Sequence, residues 1–428
     1  MDERTGCVLV GGGPGGVVLG HMLARAGVRV TLLESRGDFD RRFRGDSIAP
    51  AVLDHLDRLG LADPMLAELP HVRADRFVWS TPTRRYVLAD YRGSSERFPF
   101  YALVPQASFL PWLVERSRPF GLDVRMGARF TALVRDDTGR VVGVDYSAGG
   151  ERRRLLADLV VGSDGRNSKV RQLADVVATE LNSSIDICWI SVPRRDGDPA
   201  LSGLELMSGA GYTLAVLGQG SGWQIGFTIV AGTFDRVRAA GVEPLREILR
   251  ERTPWLGDRV DLLDDVNDLT LLPIRITRTD RWSEPGLLLI GDAAHVISPV
   301  GGNGINFAVA DAAEAANRLA GPLTAERVAP AEVDAATAEV ERVRRPMIDR
   351  EQAFQVRVER ATARRLASGS DPKPPLPLRL LTAIPGFARF SGRRAARAQA
   401  VPAPAPLILH GRTPGDRGAP SGPGGRAT

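Results

Sequence analysis

The chain opens with an apolar run that stops at glycines. Residues 7–10 read as a strand, residues 17–26 carry helical spacing, and residues 28–33 read as a second strand. Residues 50–59 repeat apolar positions at Val52, Leu53, Leu56 and Leu59, which predicts an amphipathic helix closed by Gly60. Residues 76–91 and 98–104 alternate as strands, residues 106–116 as a helix, and residues 128–156 as a β-meander. Its turns fall at Asp137-Thr138-Gly139 and Ala148-Gly149-Gly150, and residues 156–161 form a buried strand. Residues 185–192, 212–217 and 223–230 are short β-like runs carrying Trp189, Tyr212, Trp223 and Phe227. A β-rich stretch with few charges, inserted between nucleotide-site segments, predicts a sheet that covers a ligand. Helices are predicted over 305–320 and 330–366. The Pro-rich segments 372–377 and 402–406 and the Gly/Pro/Arg-rich end predict disorder from about residue 400. Residues 376–397, with five Arg among apolar residues, read as a solvated, partly ordered extension.

The first turn carries chemistry. Gly11, Gly13 and Gly16 follow the spacing G-x-G-x-x-G, with Pro14 and Gly15 inside it. Gly11 permits the tight turn, Gly13 lets a pyrophosphate approach, and Gly16 lets the helix pack on the strand. The helix then directs its unpaired N–H groups and positive dipole end at the phosphates. Glu34 lies 23 residues after Gly11, at the end of the second strand. An acid there accepts from a ribose 2′-hydroxyl and repels a 2′-phosphate, which favours FAD or NAD. Ser35 and Arg36 adjoin that carboxylate.

Composition changes this picture little. At 428 residues, 43% hydrophobic and 25% charged, the chain is an ordinary globular one, long enough for two or three domains. No apolar run approaches a membrane span and no signal-peptide layout opens the chain, so a cytoplasmic protein is expected. Cys7 and Cys188 sit in apolar runs and read as core. The five histidines lack ligand spacing, so no protein-bound metal is expected. Of the net charge of +5, residues 366–428 supply +7, from nine Lys/Arg against two Asp, which leaves the rest at −2. The body is near neutral, and nucleic acid is not an expected partner.

Two further motifs follow the first in order. One is Val161-Gly162-Ser163-Asp164-Gly165-Arg166, and the other is Gly291-Asp292 with its sequel Gly301-Gly302-Asn303-Gly304-Ile305-Asn306. Together the three resemble the class A FAD-dependent monooxygenases, the group containing para-hydroxybenzoate hydroxylase, over roughly residues 5–365. The resemblance implies an α/β fold: a Rossmann-like, three-layer FAD-binding domain of the glutathione-reductase type, with an inserted β-sheet substrate domain and C-terminal helices. It divides the chain into FAD-binding segments 1–70, 98–175 and 270–330, a substrate domain of 71–97 and 176–269, helices over 331–399 and a tail over 400–428.

The resemblance also implies roles. Asp164 and Gly165 resemble the motif serving FAD and the transient nicotinamide donor, NADPH or NADH. Asp292 resembles the carboxylate that bonds the ribityl chain. Residues 301–306 resemble the loop beside the flavin pyrimidine, Pro299 the proline lining the isoalloxazine, and Arg44 and Gln106 contacts to the FAD phosphates. Arg44, Pro299, Gly302, Asn303 and Gly304 would surround the chemistry, in which a C4a-hydroperoxyflavin delivers one oxygen of O2 to substrate. His295 follows Gly291-Asp292 without being an obvious acid or base. Singly, Asp292 would serve as an N-cap, Arg44 as a solvated charge and Asp164-Gly165 as a turn; their co-occurrence carries the reading.

The expected substrate is hydrophobic, aromatic or polyketide-like, and the expected protein a monomer or homodimer. A reductase or dehydrogenase of the same fold, an epoxidase or Baeyer–Villiger variant, and a non-enzymatic binder stay open. A tryptophan-halogenase reading is disfavoured because no W-x-W-x-I-P run occurs.

Overall fold

The computed structural model describes residues 3–39, 46–199, 203–219, 222–372, 374 and 376–411. Arg44 therefore lies outside the described residues, as does the tail beyond Gly411.

The strand Glu3–Val10 pairs in parallel with Val30–Glu34 on one side and Glu151–Gly162 on the other. Asp123–Met126 and Leu287–Leu289 extend this sheet, also in parallel. Val8, Leu9, Leu32 and Val160 are fully buried, which is why these strands read as continuous apolar runs. Helices Pro14–Arg25, Gln106–Ser117 and Gly304–Thr324 pack their apolar faces in one core cluster with these strands. The antiparallel meander 129–162 branches from this sheet through its strand Glu151–Gly162. The carboxyl ends of four parallel strands, at Val10, Glu34, Gly162 and Leu289, lie along one edge of the sheet, the edge at which ligands bind in such folds.

A second sheet has seven strands, ordered Thr270–Pro273, Ile185–Pro193, Gly222–Val230, Tyr212–Gln219, Gly203–Gly209, Arg76–Ser80 and Arg85–Asp90. Its two faces differ by alternation. Cys188, Leu214, Val216, Ile225 and Phe227 face Leu249, Leu256 and Val260 of the segment Glu243–Leu262. The β-rich reading of 176–269 did not include these helices, although Leu245, Ile248 and Leu249 stand at helical spacing. The opposite face carries Phe77, Trp79, Ile187, Trp189, Leu206 and Leu217 and looks into a cavity.

The helix Pro330–Ser368 ties the two sheets together through polar groups. Arg344 donates to Asp311, Gln352 Nε2 to Thr277 O and Val296 O, and Glu359 accepts from Ser183 and Ser184 N. These side chains stand seven or eight residues apart, about two turns each, on one helical face.

The C-terminal segment overturns one expectation. Residues 376–397, read as a solvated, partly ordered extension within a helical region, form helices Leu376–Ala383 and Phe387–Ala398, and the second packs against the strand Arg85–Asp90. Disorder from residue 400 is wrong for 400–411. His55 Nδ1 donates to Pro402 O, Arg25 Nε to Ile408 O, Asn317 brackets Ala403 O and Ala405 N, and the Ile408 side chain is fully buried. Side chains from the core satisfy the backbone polar groups that the prolines leave unpaired. Cys7 and Cys188 are free and buried. Among the described residues no helix is long and apolar enough to cross a membrane.

Two buried histidines give this core an acid limit. His21 Nδ1 bonds Ser117 Oγ at 2.9 Å, and the Nε2 atoms of His21 and His55 are buried without a partner among the described residues. Burial above all lowers His21 from 6.5 to about 3 and His55 to about 4, and neighbouring cations push the same way. Below pH 6.5 the unfolded chain takes up protons that the folded one refuses, so stability present at neutral pH is lost on acidification. The expected loss between pH 7 and pH 5 is up to about 2 kcal/mol per ring. Melting temperatures should fall over that range and fall less in His21→Asn/His55→Asn. An equal fall in both proteins would contradict the assignment.

Candidate active site

The glycine turn is built by close approach. Gly11 has φ +107°, and a Cβ there would meet Ser163 O at 2.5 Å. A Cβ on Gly16 would meet Gly11 O at 2.2 Å. Gly13 is the N-cap of the first helix and Pro14 its first residue, so Pro leaves no orphan donor while the following amides remain free. Glu34 is buried, its Oε2 accepting from Gly12 N at 2.8 Å and its Oε1 from Arg36 N at 2.9 Å and Ser35 Oγ at 3.3 Å. Ser35 and Arg36 themselves are exposed.

In front of this turn lies a cavity of about 1320 Å³, larger than the ~300–1,000 Å³ of ordinary ligand pockets. It runs without interruption from Gly13, Pro14 and Gly15 to the apolar face of the seven-stranded sheet. Gln106, Gly165, Gly291, Asp292, Pro299, Gly301, Gly302, Asn303, Gly304 and Ile305 also line it. Most of the residues singled out by motif therefore meet in one space. Asp292 is partly exposed there, with Arg166 Nε 3.4 Å from its Oδ2. Asn303 stands at the N-cap position of the helix Gly304–Thr324 without a side-chain cap bond, and Gly304 and Ile305 line the cavity.

Two motif residues serve the frame instead. Asp164 does not line the cavity. Its carboxylate accepts from Ser168 Oγ, Lys169 N and Val170 N, holding the helix Lys169–Leu173, and burial leaves its carboxyl above the usual value despite those bonds. Asn306 is buried behind the wall, accepting from Ala49 N at 2.8 Å and donating to Ser47 O at 3.0 Å. Ser47 Oγ in turn donates to Gly302 O at 2.9 Å. Gly302, at φ +67°, has no room for a Cβ, which would sit 2.5 Å from Ser47 Oγ.

Several site residues carry no motif. Asp311 is fully buried and accepts from Gly291 N at 3.0 Å, His295 Nε2 at 2.7 Å and Arg344 Nε at 2.8 Å. Burial pushes its carboxyl up, but the His295 and Arg344 charges outweigh that and hold it below the usual range. His295 thus orients the turn that presents Asp292. Glu351 lines the cavity beside Asn303. Burial pushes its carboxyl up against the pull of hydrogen bonds to Asn303 and Gln355. Asn303 also accepts from Gln399 Nε2 at 2.7 Å, and Gln399 takes the Tyr101 hydroxyl, so the C-terminal helices complete this wall. Asp46, beside Gln106, is pushed up to about 7 by burial against a bond from Gln106 N. The only advance signal for Arg344 and Glu351 was the helical spacing of polar residues in 344–359.

The cradle fits FAD on these grounds: close-approach glycines, a buried acid at the second strand's end, two helix N-termini facing one cavity, and an exposed carboxylate between them. Comparison with known proteins agrees. A family profile described as "FAD binding domain" matches residues 4–351. 6-Methylpretetramide 4-monooxygenase of Streptomyces rimosus is 32% identical over 73% of this chain and 74% of its own length. A 12-dehydrotetracycline 5-monooxygenase/anhydrotetracycline 6-monooxygenase of Streptomyces rimosus subsp. rimosus is 27% identical over 72% of this chain, which spans 61% of that protein. Among solved structures, P. aeruginosa PqsL in complex with 2-aminobenzoylacetate shares the fold, with a TM-score of 0.71 and 20% identity over 86% of this chain and 99% of that one. The close-approach glycine turn, the Gly291-Asp292 turn and these matches place the chain in the family of FAD-dependent monooxygenases.

Proposed function

We propose that the protein uses NADH or NADPH and O2 to place one oxygen atom on a mostly apolar aromatic or polyketide-like metabolite. The observation that carries this reading is the continuity of the cavity between the glycine cradle and the apolar sheet face. The names of the relatives, monooxygenases of polycyclic polyketides, support the same substrate class.

When bound, FAD accepts hydride from the nicotinamide and activates O2. The chain's residues bind and orient. The N–H groups after Gly13 take the diphosphate, and Glu34, by its place at the strand end, takes the adenosine ribose. Asp292 takes the ribityl hydroxyls, and the amides of 303–305 stabilise negative charge at the flavin pyrimidine, the Gly302 amide being held by Pro299 O. Pro299 flanks the ring system. Arg44 and Gln106 serve the phosphates, with Arg44 also serving the nicotinamide donor, as the family resemblance suggests. Phe77, Trp79, Ile187 and Trp189 exclude water from the reacting carbon and hold the substrate by apolar contact. In this reading segments 1–70, 98–175 and 270–330 hold FAD, 71–97 and 176–269 hold substrate, and the protein works in the cytoplasm as a monomer or homodimer.

The test is incubation with NADPH or NADH, a panel of polycyclic phenols and 18O2, followed by mass spectrometry. One 18O atom per product molecule is expected. Reduced product without new oxygen, across the panel, would replace the oxygenase with a reductase.

A further inference from the structure

The long helix Pro330–Ser368 lines the cavity from Glu351, beside Asn303, to Arg365. Fourteen residues separate these positions, about 21 Å along the axis. At the far end Arg365 meets the seven-stranded sheet. Its Nη2 donates to Thr213 Oγ1 at 2.8 Å, Thr213 Oγ1 lies 3.0 Å from Ser208 Oγ, and Trp79 Nε1 donates to Ser208 Oγ at 3.0 Å. The guanidinium carbon lies 5.9 Å from the Trp79 ring centre. Arg365, Thr213, Ser208 and Trp79 all line the cavity.

This half-buried cation has no counter-charge among the described residues. Its Nε is buried without a hydrogen-bond partner among the described residues, and none of their carboxylates pairs with it. Glu205, on the neighbouring strand, is already bonded to Arg85 at 2.8 Å. Burial holds the guanidinium below its usual value. On the same sheet face Trp189 Nε1 is a second buried donor without a partner among the described residues. A desolvated cation without an anion is costly, and a ligand oxyanion removes that cost.

We propose that Arg365, with Thr213, Ser208 and Trp79, forms an oxyanion subsite at the sheet end of the cavity, which anchors an ionised phenol, enol or carboxylate of an extended apolar substrate. This rests on the substrate class given under Proposed function. The anchored end fixes which carbon of a long ring system reaches the flavin end. Arg365 is a specificity-determining residue, and it touches neither the glycine turn nor Asp292.

The test is direct binding to the FAD-loaded protein, read by quenching of tryptophan fluorescence. The probes are 9-anthracenecarboxylate, its neutral analogue 9-anthracenemethanol, and 1,2-dihydroxyanthraquinone at a pH where it is ionised. The native protein should prefer the carboxylate over the alcohol by about tenfold or more. Arg365→Gln should abolish that preference with flavin content and melting temperature unchanged. Arg365→Lys, which keeps charge but loses the planar fork, should retain part of it, and it carries the test if the Gln variant does not fold. Tight binding of the anthraquinone as well would assign the subsite to oxyanions generally; response to the acid alone would assign it to carboxylates. Equal affinity for acid and alcohol in the native protein, no binding of either anion, or a preference surviving Arg365→Gln would overturn the subsite. Anion binding without 18O incorporation would leave the subsite standing and remove the oxygenase reading.

Discussion

Replacing Asp311 by alanine is expected to destabilise the protein by about 3–5 kcal/mol and to strip it of flavin, although Asp311 touches no ligand. The substitution leaves the Arg344 guanidinium, 2% exposed, without its anion, and leaves Gly291 N and His295 Nε2 without their acceptor. Much of the loss is the penalty of a buried charge left alone rather than the value of the pair. The double variant Asp311→Leu/Arg344→Met removes both charges and should therefore be more stable than Asp311→Ala, while still releasing flavin because the Gly291 turn has lost its acceptor. Thermal melting and the flavin absorbance of the purified proteins read both effects. An Asp311→Ala protein that melts with the native one and keeps its flavin would mean that the turn holds itself.

Asp292→Ala has the opposite signature. The carboxylate is partly exposed in the cavity and, among the described residues, bears no frame bond beyond the long contact to Arg166. The fold should survive, and melting of the flavin-free protein should be unchanged. Flavin affinity should fall by about ten- to a hundredfold, the worth of charge-assisted hydrogen bonds at 1.5–3 kcal/mol. Titration of flavin-free protein with FAD measures this. Native affinity in the variant would remove Asp292 from the cofactor site.

The contrast between these neighbouring carboxylates shows what a sequence can reveal. The turn at 11–16 was legible because its chemistry is local: strand, glycines and helix follow one another, and close approach admits only glycine. The cavity-lining residues 301–305 were legible through their resemblance to the family's flavin loop. A motif does not say which way a side chain faces, however. Asp164 and Asn306 sit in the right segments and spend their polar atoms on the frame, on the helix after Ser168 and on residues 47–49. Asp311, Arg344, Glu351 and Arg365 arrive from far along the chain, and only the tertiary fold places them. The segment 400–411 misled through composition. Proline-rich chain is ordered wherever neighbouring side chains satisfy its carbonyls, as His55, Arg25 and Asn317 do here. The polar positions at 344, 352, 355 and 359, on one helical face, were the overlooked sign that the long helix is part of the site.

Everything above depends on the cradle and the apolar cavity belonging to one flavin-dependent centre. The absorbance spectrum of the purified protein, taken before and after anaerobic addition of NADPH or NADH, addresses that directly. Near-stoichiometric flavin, bleached by at least one of the two nucleotides and restored by air, is the expected result. A protein without flavin that takes up none when FAD is added would contradict the assignment of residues 11–16, Asp292 and 301–305 to a cofactor.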